Sequence, residues 1–232
     1  MSLPGQRWSG WFRWLGVIAV LVCFAAAVAE NLGARLGLTD RNLSYVEKKY
    51  GQVARKRLLD WQELMISSRN KPELQKLELV NQFFNQVIFV SDLDHWGVED
   101  YWATPVEMLA TNGGDCEDFA IAKYFTLAEM GVPVSRLQIT YVKALNWNPV
   151  SQAHMVLTYY PTPEAIPQVL DNLIPEIKSA TLRRDLVPVY SFNGDGLWLA
   201  KERGLGRNVG KSDRISLWRT LEARIGKEAN GN

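Results

Sequence analysis

The residues able to do chemistry cluster around a cysteine. The block Asn112-Gly113-Gly114-Asp115-Cys116-Glu117-Asp118-Phe119-Ala120 sets Cys116 between a glycine loop and a helical run that stops at Gly131-Val132-Pro133. Asp115 is a favourable N-cap, and Glu117 and Asp118 fall in the first turn, where carboxylates suit the helix dipole. Cys116 is thereby placed at a helix N-terminus, whose backbone N–H groups favour a thiolate and can stabilise an oxyanion. The chain has two histidines. His95 lies in the polar stretch Ser91 to Asp100 and reads as ordinary surface. His154 interrupts the apolar run Ala153-His154-Met155-Val156-Leu157, as either a satisfied core group or a functional one. A helix-terminal cysteine, a histidine on a later strand and a downstream acid form a nucleophile, base and orienter. Asp171, on the next short apolar segment, is the first choice of orienter; Asn172, Asp185 and Asp195 compete with it.

The acids beside Cys116 pose an electrostatic problem. Asp115, Glu117 and Asp118 crowd the thiol with negative charge, which raises its pKa and suppresses the thiolate. Either they point away as helix caps or a cation neutralises them. Calcium takes several oxygen ligands, carboxylates among them. A metal site made from Cys116, His154 and the acids is the weaker reading, because soft sulfur and hard carboxylate ligands suit different metals.

The elements that must position these groups are legible from periodicity. Val46, Tyr50, Val53, Ala54, Leu58, Trp61 and Met65 recur at helical spacing from Asp40 onward, with a basic face opposite. A second helix starts near Pro72, and Thr104-Pro105-Val106-Glu107 predicts a capped short helix over 105–110. The helix after Cys116 is apolar almost all round; only Lys123, Thr126 and Glu129 make a narrow polar stripe, so it is central to its domain. Beyond Pro133 the period changes to two. Leu137 to Leu145 and Gln152 to Tyr160 read as a hairpin, Gln168 to Leu173 as a third strand, and Asn193-Gly194-Asp195-Gly196 as the turn of another hairpin. Gly204 to Gly210 reads as loop, and a last amphipathic helix is capped by Ser212 or Asp213. Helices first and antiparallel strands second give an α+β class.

Composition sets the remaining bounds. A chain of 232 residues can build a core without disulfide staples, and a net charge of +1 offers no argument for nucleic-acid binding. Arg7 and Arg13, an apolar stretch from Leu15 to Ala29 and the A-x-A site Ala27-Val28-Ala29 predict an export signal over 1–29, with a single domain over 30–232. The apolar stretch is short for a spanning helix, although an uncleaved anchor is the alternative. Cleavage would leave Cys116 as the one cysteine of an exported protein, and a lone thiol in that setting reads as reactive.

The segments Gly113-Gly114-Asp115-Cys116-Glu117-Asp118-Phe119-Ala120, Gln152-Ala153-His154-Met155-Val156-Leu157 and Val169-Leu170-Asp171-Asn172 closely resemble the bacterial transglutaminase-like cysteine peptidases. The resemblance implies a papain-like, transglutaminase-type core with a helical N-terminal lobe. It implies a triad of Cys116, His154 and Asp171, and a calcium site that includes Asp115 and Glu117. It further implies a periplasmic endopeptidase that clips the N-terminal region of a large surface adhesin beside paired alanines and so disperses biofilm. Its expected partner is an inner-membrane LapD-type cyclic-di-GMP receptor that sequesters it. Two other readings use the same fold: a transglutaminase that transfers the acyl group to an amine, and a binding module without catalysis. Trp96, Trp102 and Trp147 are candidate exposed aromatics at a cleft or partner surface.

Overall fold

A computed structural model describes residues 34–145, 152–199 and 206–230. The stretch read as an export signal and the segment with Trp147 lie outside the described residues. Among these, no helix is long and apolar enough to cross a membrane.

The N-terminal half is helical: α1 (Asp40–Tyr50), α2 (Gln52–Ser68), α3 (Glu73–Phe84), the one-turn α4 (Asp92–Trp96), α5 (Pro105–Thr111) and α6 (Cys116–Glu129). A two-residue strand β1 (Ile88–Phe89) pairs in parallel with β2 (Gly113–Gly114), just before Cys116. Seven strands follow: β3 (Leu137–Ala144), β4 (Gln152–Tyr159), β5 (Gln168–Leu170), β6 (Lys178–Ser179), β7 (Leu186–Asn193), β8 (Gly196–Leu199) and β9 (Arg207–Gly210). They form one antiparallel sheet in the order β6-β5-β4-β3-β7-β8-β9, and helix α7 (Ser216–Ala229) closes the described chain. The α+β class and the β3–β4 and β7–β8 hairpins are as the sequence predicts.

Helix α6 is the spine. It packs against α3, β3 and β4, and its polar stripe is not a solvent face: Lys123 and Thr126 are fully buried. Thr126 Oγ1 accepts from Trp61 Nε1 at 2.9 Å and donates to the Ala122 carbonyl at 2.7 Å, which joins α2 to the spine. Strand β4 divides its side chains between two faces. Met155, Leu157 and Tyr159 enter the main core, whereas Val156 joins Val142 and Val169 in a smaller apolar cluster. His154 shares the strand alternation of Val156, so it emerges on that second face beside the end of β5.

Several sequence expectations need correction. The first helical run is two helices, because Gly51 adopts φ 89° and ψ 173° between them, and Tyr50 and Val53 are consequently exposed. Helix α3 starts at Glu73, next to the predicted Pro72, which takes the N-cap position rather than the first helical one. The loop from Gly204 to Gly210 contains β9, whose short Arg-Asn-Val-Gly run carries no apolar alternation to announce it. Ser212 and Asp213 lie in a separate single turn, and the cap position of α7 is Ile215. Trp102 is buried and stacks on Phe192 at 5.6 Å, and Trp96 is half-buried, so neither is a fully exposed aromatic.

The backbone of Gly51 falls in a region that side chains with a Cβ scarcely enter. Gly51→Ala is expected to lower stability by about 1–3 kcal/mol in a denaturant titration, although nothing crowds the position.

Candidate active site

The thiol is placed by α6 and by the loop before it. Asp118, the third residue of the helix, accepts from the backbone N–H of Asp115 at 3.2 Å and from that of Ala103 at 2.7 Å. This carboxylate, not that of Asp115, anchors the helix start to the segment ahead of α5. The two glycines are steric requirements. A Cβ on Gly114 would lie 2.7 Å from Asp118 Oδ2, and one on Gly113 would lie 2.8 Å from the His95 ring. His95 is therefore not ordinary surface. It is half-buried over Gly113, with its Nε2 2.8 Å from Thr111 Oγ1.

Cys116 is half-buried, and its Sγ donates to Glu117 Oε2 at 3.1 Å. The backbone N–H of Met155 on β4 also faces the sulfur. Burial pushes the thiol pKa well up, and the charges of Glu117 and Asp115 push it further; the Met155 N–H opposes them only weakly. The crowding expected from sequence is present, and in this arrangement Cys116 is a neutral thiol.

The residue before Met155 is His154, buried at 4% exposure. Its Nε2 lies 2.8 Å from Asp171 Oδ1. Asp171, one residue past β5, is 1% exposed and also accepts the Leu173 N–H at 3.1 Å. Its backbone carbonyl is held by Asn85 Nδ2 at 2.9 Å. Burial alone would raise its carboxyl pKa; the hydrogen bond and charge of His154, the Leu173 N–H and Arg183 together bring it down to about 2. With Nε2 engaged by Asp171, Nδ1 is the ring nitrogen for which no hydrogen bond is seen among the described residues. The competing acids are placed elsewhere: Asp185 reaches Asp171 only through Arg183, and Asp195 lies in the β7–β8 turn. Asn172 has a buried Oδ1 without a hydrogen-bond partner among the described residues.

The acids form a larger group than the sequence suggested. Asp92, at the start of α4, joins Asp115 and Asp118 in one cluster and Asp100 and Glu117 in another, each with ligand oxygens within 4.8 Å of one another. Asp115 and Glu117 also group with Cys116. Asp115 is pushed up to about 8 by burial, then by Glu117 and Asp100, and Asp92 to about 6 by burial and by Asp115 and Asp100. Asp92 Oδ1 and Asp115 Oδ1 are buried without hydrogen-bond partners among the described residues. Orphaned, mutually repelling carboxylate oxygens of this kind fit a hard divalent cation with oxygen ligands. Asp92 and Asp100 escaped the sequence reading; the four acids of Ser91 to Asp100 were the available signal.

The family model described as bacterial transglutaminase-like cysteine proteinase BTLCP matches residues 53–184. Among solved structures, LapG of Legionella pneumophila is 45% identical, with 80% of this chain and 96% of that chain covered and a TM-score of 0.69. An EGTA-treated form of that protein gives a TM-score of 0.70 at 45% identity, covering 80% of this chain and 96% of that chain. A calcium-bound form gives 0.67 at 46% identity, covering 79% and 97%. No match is found among curated proteins.

The low pKa of Asp171 makes a pH prediction. A carboxylate whose folded pKa lies below its unfolded value stabilises the fold above the unfolded pKa, and that stability is lost as pH falls from about 4 through about 2. The stability gap between wild type and Asp171→Asn, followed by chemical denaturation, should therefore shrink across this window, by on the order of 2 kcal/mol.

Proposed function

The chain belongs to the bacterial transglutaminase-like cysteine proteinases, and from that premise we propose that it is a calcium-dependent cysteine endopeptidase working through Cys116, His154 and Asp171. The observation that carries this reading is the buried hydrogen bond between Asp171, just past β5, and His154 on β4, the strand whose next N–H faces the Cys116 sulfur. Cys116 attacks the scissile carbonyl carbon, and its proton passes to His154 Nδ1. Asp171 holds the ring in the tautomer this requires. The oxyanion is met by the Cys116 backbone N–H at the head of α6. The imidazolium then protonates the leaving amine, giving a thioester on Cys116, and His154 next activates the water that hydrolyses it.

Asp115 and Glu117, with Asp92 and Asp100 from the facing segment, would hold calcium. When bound, the ion supplies the positive charge that offsets these carboxylates and fixes the Cys116 loop. Glu117, which accepts the thiol hydrogen bond, is among the carboxylates whose charge the ion would offset.

The substrate assigned here is the N-terminal region of a large surface adhesin, cut beside paired alanines, with release of the adhesin and dispersal of biofilm. The protein would be exported to the periplasm with its leader removed, and a LapD-type cyclic-di-GMP receptor at the inner membrane would sequester it. The support for these assignments is the 45% identity to LapG and the apolar, basic-headed N-terminus.

The test is incubation of an adhesin N-terminal fragment with wild type, Cys116→Ala and chelator-treated wild type, read by mass spectrometry. Fragments should appear with wild type alone, and Cys116→Ala should lose activity by on the order of ten-thousand-fold. Intact substrate throughout rejects this substrate; adducts of an added amine on protein glutamines would assign acyl transfer instead. Calcium at a hundredfold excess over its Kd should stabilise the chelated protein by about 2.7 kcal/mol, a rise in melting temperature of roughly 5–10 °C. An unchanged melting temperature would contradict the calcium site.

A further inference from the structure

Asp171 is gripped on its other side by a second buried charge. Arg183, just past a single turn after β6, donates from Nη2 to Asp171 Oδ2 at 2.7 Å and to Asp185 Oδ2 at 2.8 Å, and from Nε to Asp185 Oδ1 at 3.0 Å. Its side chain is 2% exposed. Packing alone does not call for a guanidinium here, since the neighbouring cluster of Val142, Val156 and Val169 with Ala180 and Leu186 is apolar. A buried charge is costly to desolvate, and removing one partner of a buried pair leaves the other uncompensated.

The geometry specifies the two oxygens of Asp171 separately. Oδ1 takes His154 and the Leu173 N–H, while Oδ2 takes Arg183. Without Arg183, Oδ2 would lose that partner in a closed interior, and the carboxylate could turn. Lys123 on α6 is within electrostatic reach of Asp171, but burial pushes its own pKa down to about 7 and its Nζ has no hydrogen-bond partner among the described residues, so it does not orient the carboxylate. Asp185 fixes the guanidinium fork in turn.

We propose that Arg183 is a positioning residue for the peptidase reaction: by locking Asp171 with Oδ1 toward His154 Nε2, it keeps the imidazole proton on Nε2 and leaves Nδ1 as the base for Cys116. This rests on the Cys116–His154–Asp171 reading above. It separates fork geometry from charge, because lysine would keep the charge and lose the two-sided grip.

The presence of only two histidines makes the test simple. Full-length mature protein, saturated with calcium and labelled with nitrogen-15 in histidine, is studied by NMR above the imidazole titration, with His95→Gln to assign the pair. Wild type should show His154 as one tautomer, protonated at Nε2. Arg183→Met should show both tautomers and slow iodoacetamide alkylation of Cys116 at neutral pH by about 10–100-fold, and millimolar guanidinium should restore the rate. Arg183→Lys should remain mixed in tautomer; it also serves if Arg183→Met does not fold. A single Nε2–H tautomer in Arg183→Lys, or in folded Arg183→Met with wild-type alkylation, overturns the proposal. Asp171→Asn separates the two claims. If it perturbs tautomer and alkylation while the Arg183 variants do not, only the role of Arg183 falls; if it perturbs neither, the triad reading falls as well.

Discussion

A thiol set among buried carboxylates stays protonated unless positive charge is brought to it, and the rest of the site can be understood from that constraint. Cys116 gains from its place at the head of α6, where backbone N–H groups and the helix dipole favour the anion. Burial and the charges of Glu117 and Asp115 act against it and are the stronger influence. Negative charge beside a nucleophilic sulfur makes no sense for a constitutively active thiolate. It makes sense where ionisation is conditional on a cation.

The scaffold divides the work between two sides of the sulfur. On one side, α4, the segment after it and the start of α6 gather carboxylate oxygens, and Asp118 is diverted to structure by the Asp115 and Ala103 amides. On the other, β4 presents the Met155 N–H and the His154 ring from adjacent residues, so the proposed base sits on a strand rather than on a loop. The end of β5 brings Asp171, and the segment after β6 brings Arg183 and Asp185 behind it. Fixed hydrogen bonds in a water-poor interior need little reorganisation when charge develops, which is the condition for effective electrostatic catalysis.

Much of this was legible in the sequence because local rules coincide there. Gly113-Gly114-Asp115-Cys116 announces a loop feeding a helix, and the period-two pattern around His154 announces a strand. Asp171 could be ranked but not selected, because proximity across β4 and β5 depends on register; the structure pairs Leu157 with Leu170 and so brings Asp171 beside the histidine. Arg183 was illegible for a related reason: a buried arginine has the same letter as a surface one, and only tertiary packing makes it a partner. The polar stripe of α6 is a related case: its spacing reads from the sequence, but that Lys123 and Thr126 are fully buried, with Thr126 bonded to Trp61 of α2, does not. Gly51 could have split the first helix, but apolar spacing on both sides runs through it without a shift in phase.

The central claim is that the carboxylates beside Cys116 make its nucleophilicity conditional on calcium. The most direct measurement is the rate at which iodoacetamide alkylates Cys116, at fixed neutral pH, as calcium is added to chelator-treated protein. The account predicts a saturable rise in rate with calcium, and a much smaller dependence in Glu117→Gln, where the charge facing the sulfur is removed. A rate that is the same in calcium and in chelator, with Cys116 accessible to the reagent in both, would contradict it.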